Sequence, residues 1–405
     1  MQRALIMERD EVGTAPRAGA MVLGDLTLVR PLALAGIESV VATYDPAEVT
    51  LSSRHVQRGL LLPPLSGPTE AHALKALCRA GDALAARAHP RPLLVYGSDE
   101  FLSFDDRHRE VLDRSFAMLL SSPELTRTAL DKQRFGRFAR RQGIEVPDAL
   151  EDHEPLVAAR RLGHEVVVKP RDKGRLPAGL RAVLGDGKAA VVSVDHLLTD
   201  RNLYGERASL VVQRRLACAP EDLVSFHGFV ARDGGLLASF VGRKLRTYPA
   251  VGGDSARIEI LDDPRLAREA TAILERLGVR GPFKLDLVRD RATGRLVTLE
   301  VNLRYNLWHH LGAVNGVNLL LVAHRHLVCG ESVPAMTPTT RYRWIDIDRG
   351  DRSSRAEGVS IPAWLGSLAE RRNVYEVFAW DDPLPAARWF GDVLRRKVRA
   401  WRASA

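Results

Sequence analysis

Two alternating segments joined by a short turn constrain this chain more than any other feature. GPFKLDLVRD (281–290) puts Phe283, Leu285 and Leu287 on one face and Lys284, Asp286 and Val288 on the other. LVTLEVNLRYN (296–306) puts Leu299, Val301 and Leu303 on one face and Glu300, Asn302 and Arg304 on the other. Period-two alternation marks a half-buried strand, and the intervening RATGR closes an antiparallel hairpin. With the turn centred near Thr293, Asp286 falls opposite Glu300. Opposed Cβ atoms lie about 5 Å apart, where like charges destabilise, so a cation is required between them. Lys284 and Arg304 would supply it as plain ion pairs. A divalent metal is the other solution, because two carboxylates and an amide carbonyl are hard oxygen donors. Mg²⁺ takes such oxygens at about 2.0–2.1 Å and completes its shell with phosphate and water.

A metal held in this way needs a nucleotide nearby, and the chain offers phosphate-binding candidates. Lys132 opens a basic helix in TRTALDKQRFGRFARRQGIEVP, Lys169 ends the apolar run VVVKP, and Lys173-Gly174-Arg175 forms a basic loop whose backbone N–H groups suit an anion. SLVVQRRL (209–216) is a further strand, SFHGFVARDGGLLASFVGRKLR (225–246) a hairpin around Asp233-Gly234-Gly235, and 264–278 a helix.

The N-terminal part reads as a small Rossmann-like domain. AMVLG (20–24), SVVATYD (39–45) and LLVYG (93–97) are strands, Leu26 to Ala35 is helical despite Pro31, and a helical pattern follows Gly97-Ser98-Asp99-Glu100 through Leu119. No GxGxxG occurs, so no dinucleotide is assigned. Ser121-Ser122-Pro123 marks a boundary.

At 405 residues the chain is long enough for two or three domains. Net charge is +9, almost wholly from arginine, since lysine occurs only eight times. No basic run interleaved with aromatics points to nucleic acid outside the extreme C-terminus, and anionic small substrates suit the charge as well. Cys78, Cys218 and Cys329 form no CxxC pair and are expected to be buried free thiols in a reducing compartment. The N-terminal MQRALIMERDEVGTAPRAG carries Glu8, Asp10 and Glu11 without an apolar core and is not expected to be a signal peptide. No apolar run approaches the ~18 residues of a membrane span, and the expected location is cytoplasmic.

The order of Asp131-Lys132, VVVKP, VVQRRL and the Asp286/Glu300-Val-Asn302 hairpin resembles the ATP-grasp enzymes, most closely the carboxylate–amine ligase branch. The resemblance spans residues 20–330. It implies an α/β and α+β architecture, with a Rossmann-like pre-ATP-grasp domain at 19–121. A two-subdomain ATP-grasp fold would follow, with a small lid subdomain and its preceding helix at 122–212 and a catalytic subdomain at 213–333. A C-terminal extension would occupy 334–405.

The resemblance also implies roles. Lys132, Lys169, Lys173 and Gly174 would contact the ATP phosphates, while Gln213, Arg214 and Leu216 would read the adenine edge. Gln213 stands where many relatives carry Glu. Glu221 would hold the ribose, with Asp222 an adjacent alternative. Asp286, Glu300 and Asn302 would hold two Mg²⁺ ions, Mn²⁺ being an alternative metal. ATP would phosphorylate a carboxylate, and an amine would attack the acyl phosphate, giving an amide, ADP and phosphate. Lys244, Arg246 and Arg304 suit the developing charge, Arg304 orienting the acceptor carboxylate in bidentate fashion. Arg243 should turn away from the face of Lys244. His309 or His310 would either deprotonate the amine, since an ordinary imidazole titrates near pH 6.5, or serve as capping or packing residues at the helix start. A small-molecule carboxylate and an amine are the expected partners, with a homodimer left open and no nucleic acid. Gly24-Asp25, Ser53-Arg54 and Ser98-Asp99 mark strand-end loops of the N-terminal domain expected to help bind the acceptor.

RYRWIDIDRGD reads as a strand and PLPAARWFGDVLRRKVRAW as a basic amphipathic helix. Such a helix either packs on the protein body or rests weakly on an anionic membrane surface.

Overall fold

The computed structural model describes residues 6–7, 19–88, 90–173, 176, 178–185 and 187–404. Most of the N-terminal stretch weighed as a signal peptide, and Gly174-Arg175 of the basic loop, lie outside the described residues. The chain divides into two compact units. One comprises Met1–Leu119, Arg304–Thr337 and Val374–Ala405; the other comprises Leu120–Leu303 and Pro338–Asn373.

The first unit is built on β1 (Ile6–Met7), β2 (Ala20–Leu23), β3 (Ser39–Thr43), β4 (Val56–Leu61) and β5 (Leu93–Tyr96), in the order β1-β4-β3-β2-β5. β2 runs parallel to β3 and β5, and β3 parallel to β4; β1 is antiparallel. Every residue of β2 and β5 is buried, which is why both read as continuous apolar runs rather than alternations. The helix Leu26–Leu34 starts where the Asp25 carboxylate accepts from Thr27 N at 2.8 Å. Its Pro31 carbonyl accepts from Asn318 Nδ2 at 2.7 Å. The helical stretch expected through Leu119 is shorter and broken at His108, giving Asp99–Arg107 and Arg109–Ser115. Phe116–Leu119 is extended instead, and the Ala117 carbonyl accepts from Leu94 N at 3.0 Å.

The second unit contains a small sheet in which β6 (Glu165–Pro170) lies between β7 (Ala190–Ser193) and β8 (Leu210–Arg214), both antiparallel to it. Val166, Val168, Leu180, Leu197 and Val212 form its core. The larger sheet comprises β9 (Leu223–Val230), β10 (Leu236–Tyr248), β11 (Asp254–Leu261), β12 (Gly281–Arg289), β13 (Leu296–Asn302) and β14 (Arg343–Ile345), ordered β13-β12-β9-β10-β11-β14. The basic helix opened by Lys132 runs Lys132–Arg141, and the TRTAL stretch before it belongs to a separate helix, Pro123–Leu130. Asp131 interrupts them because its carboxylate accepts from Gln133 N and Arg134 N, both at 2.9 Å, and so starts a new helix.

The segment 334–405, expected as one extension, is shared between the units. Pro338–Asn373 belongs with the second, where β14 pairs with β11, and Val374–Ala405 with the first. The strand expected from RYRWIDIDRGD stops at Ile345, since Asp346 accepts from Arg349 N at 2.9 Å and caps the helix Ile347–Ala356.

Candidate active site

The hairpin register pairs Asp286 with Glu300 and Lys284 with Asn302. On its other side β12 pairs Asp286 with Ser225 and Lys284 with His227; β10 adds Gly242 opposite Ser225 and Phe240 opposite His227. Directly paired residues project to the same face. One face therefore carries the row Glu300, Asp286, Ser225, Gly242 beside the row Asn302, Lys284, His227, Phe240. A register shift follows Asp286, so Leu287 pairs with Thr298 and the turn closes one residue out of phase.

Both carboxylates are fully engaged. Ser225 Oγ donates to Asp286 Oδ1 at 2.5 Å, and Lys284 Nζ lies 2.9 Å from Asp286 Oδ2. Asn302 Nδ2 donates to Glu300 Oε1 at 3.1 Å. Lys173 Nζ donates to Asn302 Oδ1 at 2.9 Å and to the Val301 carbonyl at 2.7 Å, and lies 3.7 Å from Glu300. The segment after β6 reaches this face because it is tied to the start of the helix Lys132–Arg141. Lys132 N donates to Arg171 O at 3.0 Å, Lys173 N to Leu130 O at 3.3 Å, and Lys132 Nζ to Pro170 O at 3.0 Å.

Five of the chain's eight lysines, Lys132, Lys169, Lys173, Lys244 and Lys284, thus belong to one electrostatic cluster with Asp286 and Glu300. Burial lowers Lys169 to about 8, with Lys132 adding to the effect and Glu300 opposing it. Burial also lowers Lys244, against the attraction of Asp286. Burial alone would raise the Glu300 carboxyl, but Lys173, Lys132 and Lys284 outweigh it and hold the group well below the usual carboxylate range. The hard oxygen donors of Asp286, Glu300 and Asn302 suit Mg²⁺, and the ammonium groups around them suit polyphosphate.

Gln213 is buried on β8, paired with Val167. Arg214 is exposed; its guanidinium lies 3.2 Å from Asp148 and its N–H donates to the Asp148 carbonyl at 2.8 Å. Leu216 is half-buried beyond the strand end. Asp222 is committed locally, accepting from Ala219 N at 2.7 Å and pairing with Arg291, while exposed Glu221 accepts from Arg291 at 2.7 Å.

Arg304, His309 and His310 belong to the first unit, and Arg246 turns away from the row. Arg304 does not extend the row of Glu300 and Asn302, because β13 ends at Asn302. It lies in the first unit and forks onto Asp99, with Nε 2.7 Å from Oδ1 and Nη2 3.3 Å from Oδ2, while Nη1 donates to Gly97 O at 3.1 Å. His309 lies wholly buried in the first turn of the helix Trp308–Val314, edge-on to Tyr305, and burial pushes it down to about 3. His310 is lowered to about 3 for the same reason. So weak a base takes a proton from an ammonium poorly. Arg246 sits where the β10–β11 register shifts and turns to Ser354 Oγ at 2.6 Å and Glu357 at 3.2 Å. Arg243 pairs with Glu259, away from the row.

Ser225 was not among the expected residues, and Lys284 was weighed only as an ion pair. The alternation of SFHGF carried the first signal. The second lay in a chain that uses arginine almost everywhere yet keeps lysine in this cluster.

No family model matches the chain, and no curated protein matches it in sequence. Solved structures do match in fold. N5-carboxyaminoimidazole synthetase from Staphylococcus aureus complexed with ADP is 13% identical, with 80% of this chain and 82% of that chain covered and a TM-score of 0.58. Biotin carboxylase from Campylobacter jejuni, as a β,γ-ATP complex, is 12% identical over 80% and 74% at 0.59. L-amino acid ligase from Bacillus licheniformis is 14% identical over 78% and 75% at 0.55. These are ATP-grasp enzymes, and the chain has the ATP-grasp fold.

Proposed function

We propose that this protein is an ATP-dependent ligase that activates a carboxylate as its acyl phosphate and joins it to an amine, releasing ADP and phosphate. The observation that carries the reading is the juxtaposition of Asp286, Glu300 and Asn302 with five lysines, Lys244 and Lys284 from the same sheet and Lys132, Lys169 and Lys173 from the helix, strand and loop beside it. Phosphoryl transfer demands little covalent chemistry of the protein beyond positioning and charge stabilisation. Mg²⁺, or Mn²⁺ in its place, would be held by Asp286, Glu300 and Asn302 and would neutralise phosphate charge. Lys132, Lys169 and Lys173 then hold the nucleotide phosphates. Gln213 and the strand exit through Arg214 to Leu216 face the adenine, with the Arg214 N–H already committed to Asp148, and Glu221 reaches the ribose by exchanging its Arg291 partner. Lys244 stabilises the charge that develops on the acyl phosphate.

The test is ADP release by the purified chain with Mg²⁺-ATP across pooled amino acids and small carboxylates, with mass spectrometry of the products. A stimulated rate and a new mass equal to acid plus amine minus water support the ligase. ADP release without a condensed product refutes amide formation. Bicarbonate-stimulated turnover would instead favour carboxylation, the chemistry named for two of the structural neighbours.

Cys78 is half-buried and Cys218 and Cys329 are exposed, where buried thiols are expected from sequence; as free thiols the three fit a cytoplasmic enzyme. Among the described residues no helix is long and apolar enough to cross a membrane. The helix Leu384–Ser404 exposes Phe390, Leu394 and Val398, spaced four residues apart on one stripe of a basic sequence. That stripe supports weak contact with an anionic membrane surface. Absence of sedimentation with phosphatidylserine vesicles at low salt would remove the contact. A homodimer is consistent with the same stripe, and light scattering decides it.

A further inference from the structure

We infer that Lys284 takes the place of one of the two divalent cations that the family resemblance implies, so that this site binds its nucleotide with a single metal ion. The inference rests on the nucleotide reading above and concerns how the site is charged.

Position supports it first. Lys284 stands two residues before Asp286 on the same strand and face, and its ammonium lies 2.9 Å from Asp286 Oδ2. Its side chain is 14% exposed and that of Asp286 10%, so the pair is largely shielded from water. The other Asp286 oxygen accepts from Ser225. On the far side of the row Glu300 and Asn302 face Lys173 instead. The donor set therefore has a lysine at each end, Lys284 fixed on the strand beside Asp286 and Lys173 carried by the loop after β6 beside Glu300 and Asn302.

The donor count points the same way. Among the described residues no group of three or more His, Cys, Asp or Glu side chains is placed to hold a metal ion together. Two carboxylates and an amide suffice for one Mg²⁺, which ordinarily takes one or two carboxylates together with phosphate and water. Two ions would have to share them.

The experiment counts bound Mn²⁺ by electron paramagnetic resonance in the full chain saturated with ADP. Wild type is expected to bind one Mn²⁺ per nucleotide-loaded chain. Lys284→Met, which keeps the unbranched stem, and Lys284→Gln are each expected to bind two, with circular dichroism confirming the fold. Two ions in wild type, or one in wild type and both variants, would overturn the role of Lys284 while leaving the nucleotide site standing. Failure of wild type to bind ADP with Mn²⁺ at all would overturn the nucleotide reading and this inference together.

Discussion

Asp286 and Glu300 stand opposite one another across the β12–β13 hairpin, and each carboxylate is neutralised by a different lysine. Lys284, on the same strand, takes Asp286, and Lys173, from the loop after β6, takes Glu300. The large sheet alone provides the first pairing. The second requires the segment after β6 to be folded against it, so Lys173 couples the small sheet to the carboxylates. Any ligand that draws Lys173 away from Glu300 and Asn302 acts on both.

Glu300→Ala should abolish turnover and leave the fold intact. Glu300 lies on the polar face of β13, so its removal opens no apolar cavity, but Lys173, Lys132 and Lys284 lose a shared counter-charge. Losing one preorganised electrostatic group typically costs about 10²–10³ in rate, and here a metal ligand goes with it. The checks are ADP release and far-ultraviolet circular dichroism; normal activity with wild-type Mg²⁺ dependence would defeat the site.

Much of this site was legible because strand alternation is strict. The opposition of Asp286 and Glu300 followed from the pleat and the turn length alone, whereas the pairing of Asp286 with Ser225 depends on the strand order, which the hairpin at 225–246 does not give by itself. What alternation cannot reveal is where a strand stops. Arg304 continues the parity of Glu300 and Asn302 in sequence, yet β13 ends two residues before it, and its guanidinium answers to Asp99. Nor does sequence show depth. His309 and His310 look like free bases in RYNLWHH, and become buried neutral rings only because the helix they begin packs against Leu26–Leu34.

Nucleotide affinity should fall as pH rises through about 8. Lys169 titrates near 8 in the unliganded protein, so its ammonium is present below that pH and lost above it. Because the folded value lies below the ordinary lysine value of about 10.4, the unliganded fold gains stability as pH rises from 8 toward 10. Binding a phosphate favours the charged form and works against that gain. Calorimetric titration with Mg²⁺-ADP from pH 7 to 9.5 should show weakening that Lys169→Met, already weak, no longer displays. A flat wild-type profile would remove Lys169 from the phosphate site.

Arg304→Ala and Asp99→Ala should be strongly non-additive. Their side chains are 20% and 18% exposed and meet in a two-pronged contact, with Gly97 O as a third partner for the arginine. Each single change leaves a largely enclosed charge without its partner, at a cost of about 1–3 kcal/mol. The double variant should cost little more than either alone. Urea unfolding of the four proteins measures the coupling. Additive losses would free Arg304 from a structural role and return it to the candidates for binding the acceptor carboxylate.

Asp105 should make the protein's stability fall as pH rises. It is fully buried on the helix Asp99–Arg107, neither of its oxygens has a hydrogen-bond partner, and burial raises its carboxyl well above the ordinary range despite Arg107. The folded protein therefore holds this proton after the unfolded chain, with a value of about 3.9, has released it. Stability from this group is complete below that pH and declines above it, by up to about 1.4 kcal/mol per pH unit, until the folded value is reached. Asp105→Asn has no proton to lose. The stability difference between variant and wild type, followed by urea unfolding from pH 5 to 8, should move steadily in favour of the variant as pH rises. A constant difference would mean that Asp105 is ionised inside the fold, with a cation beside it.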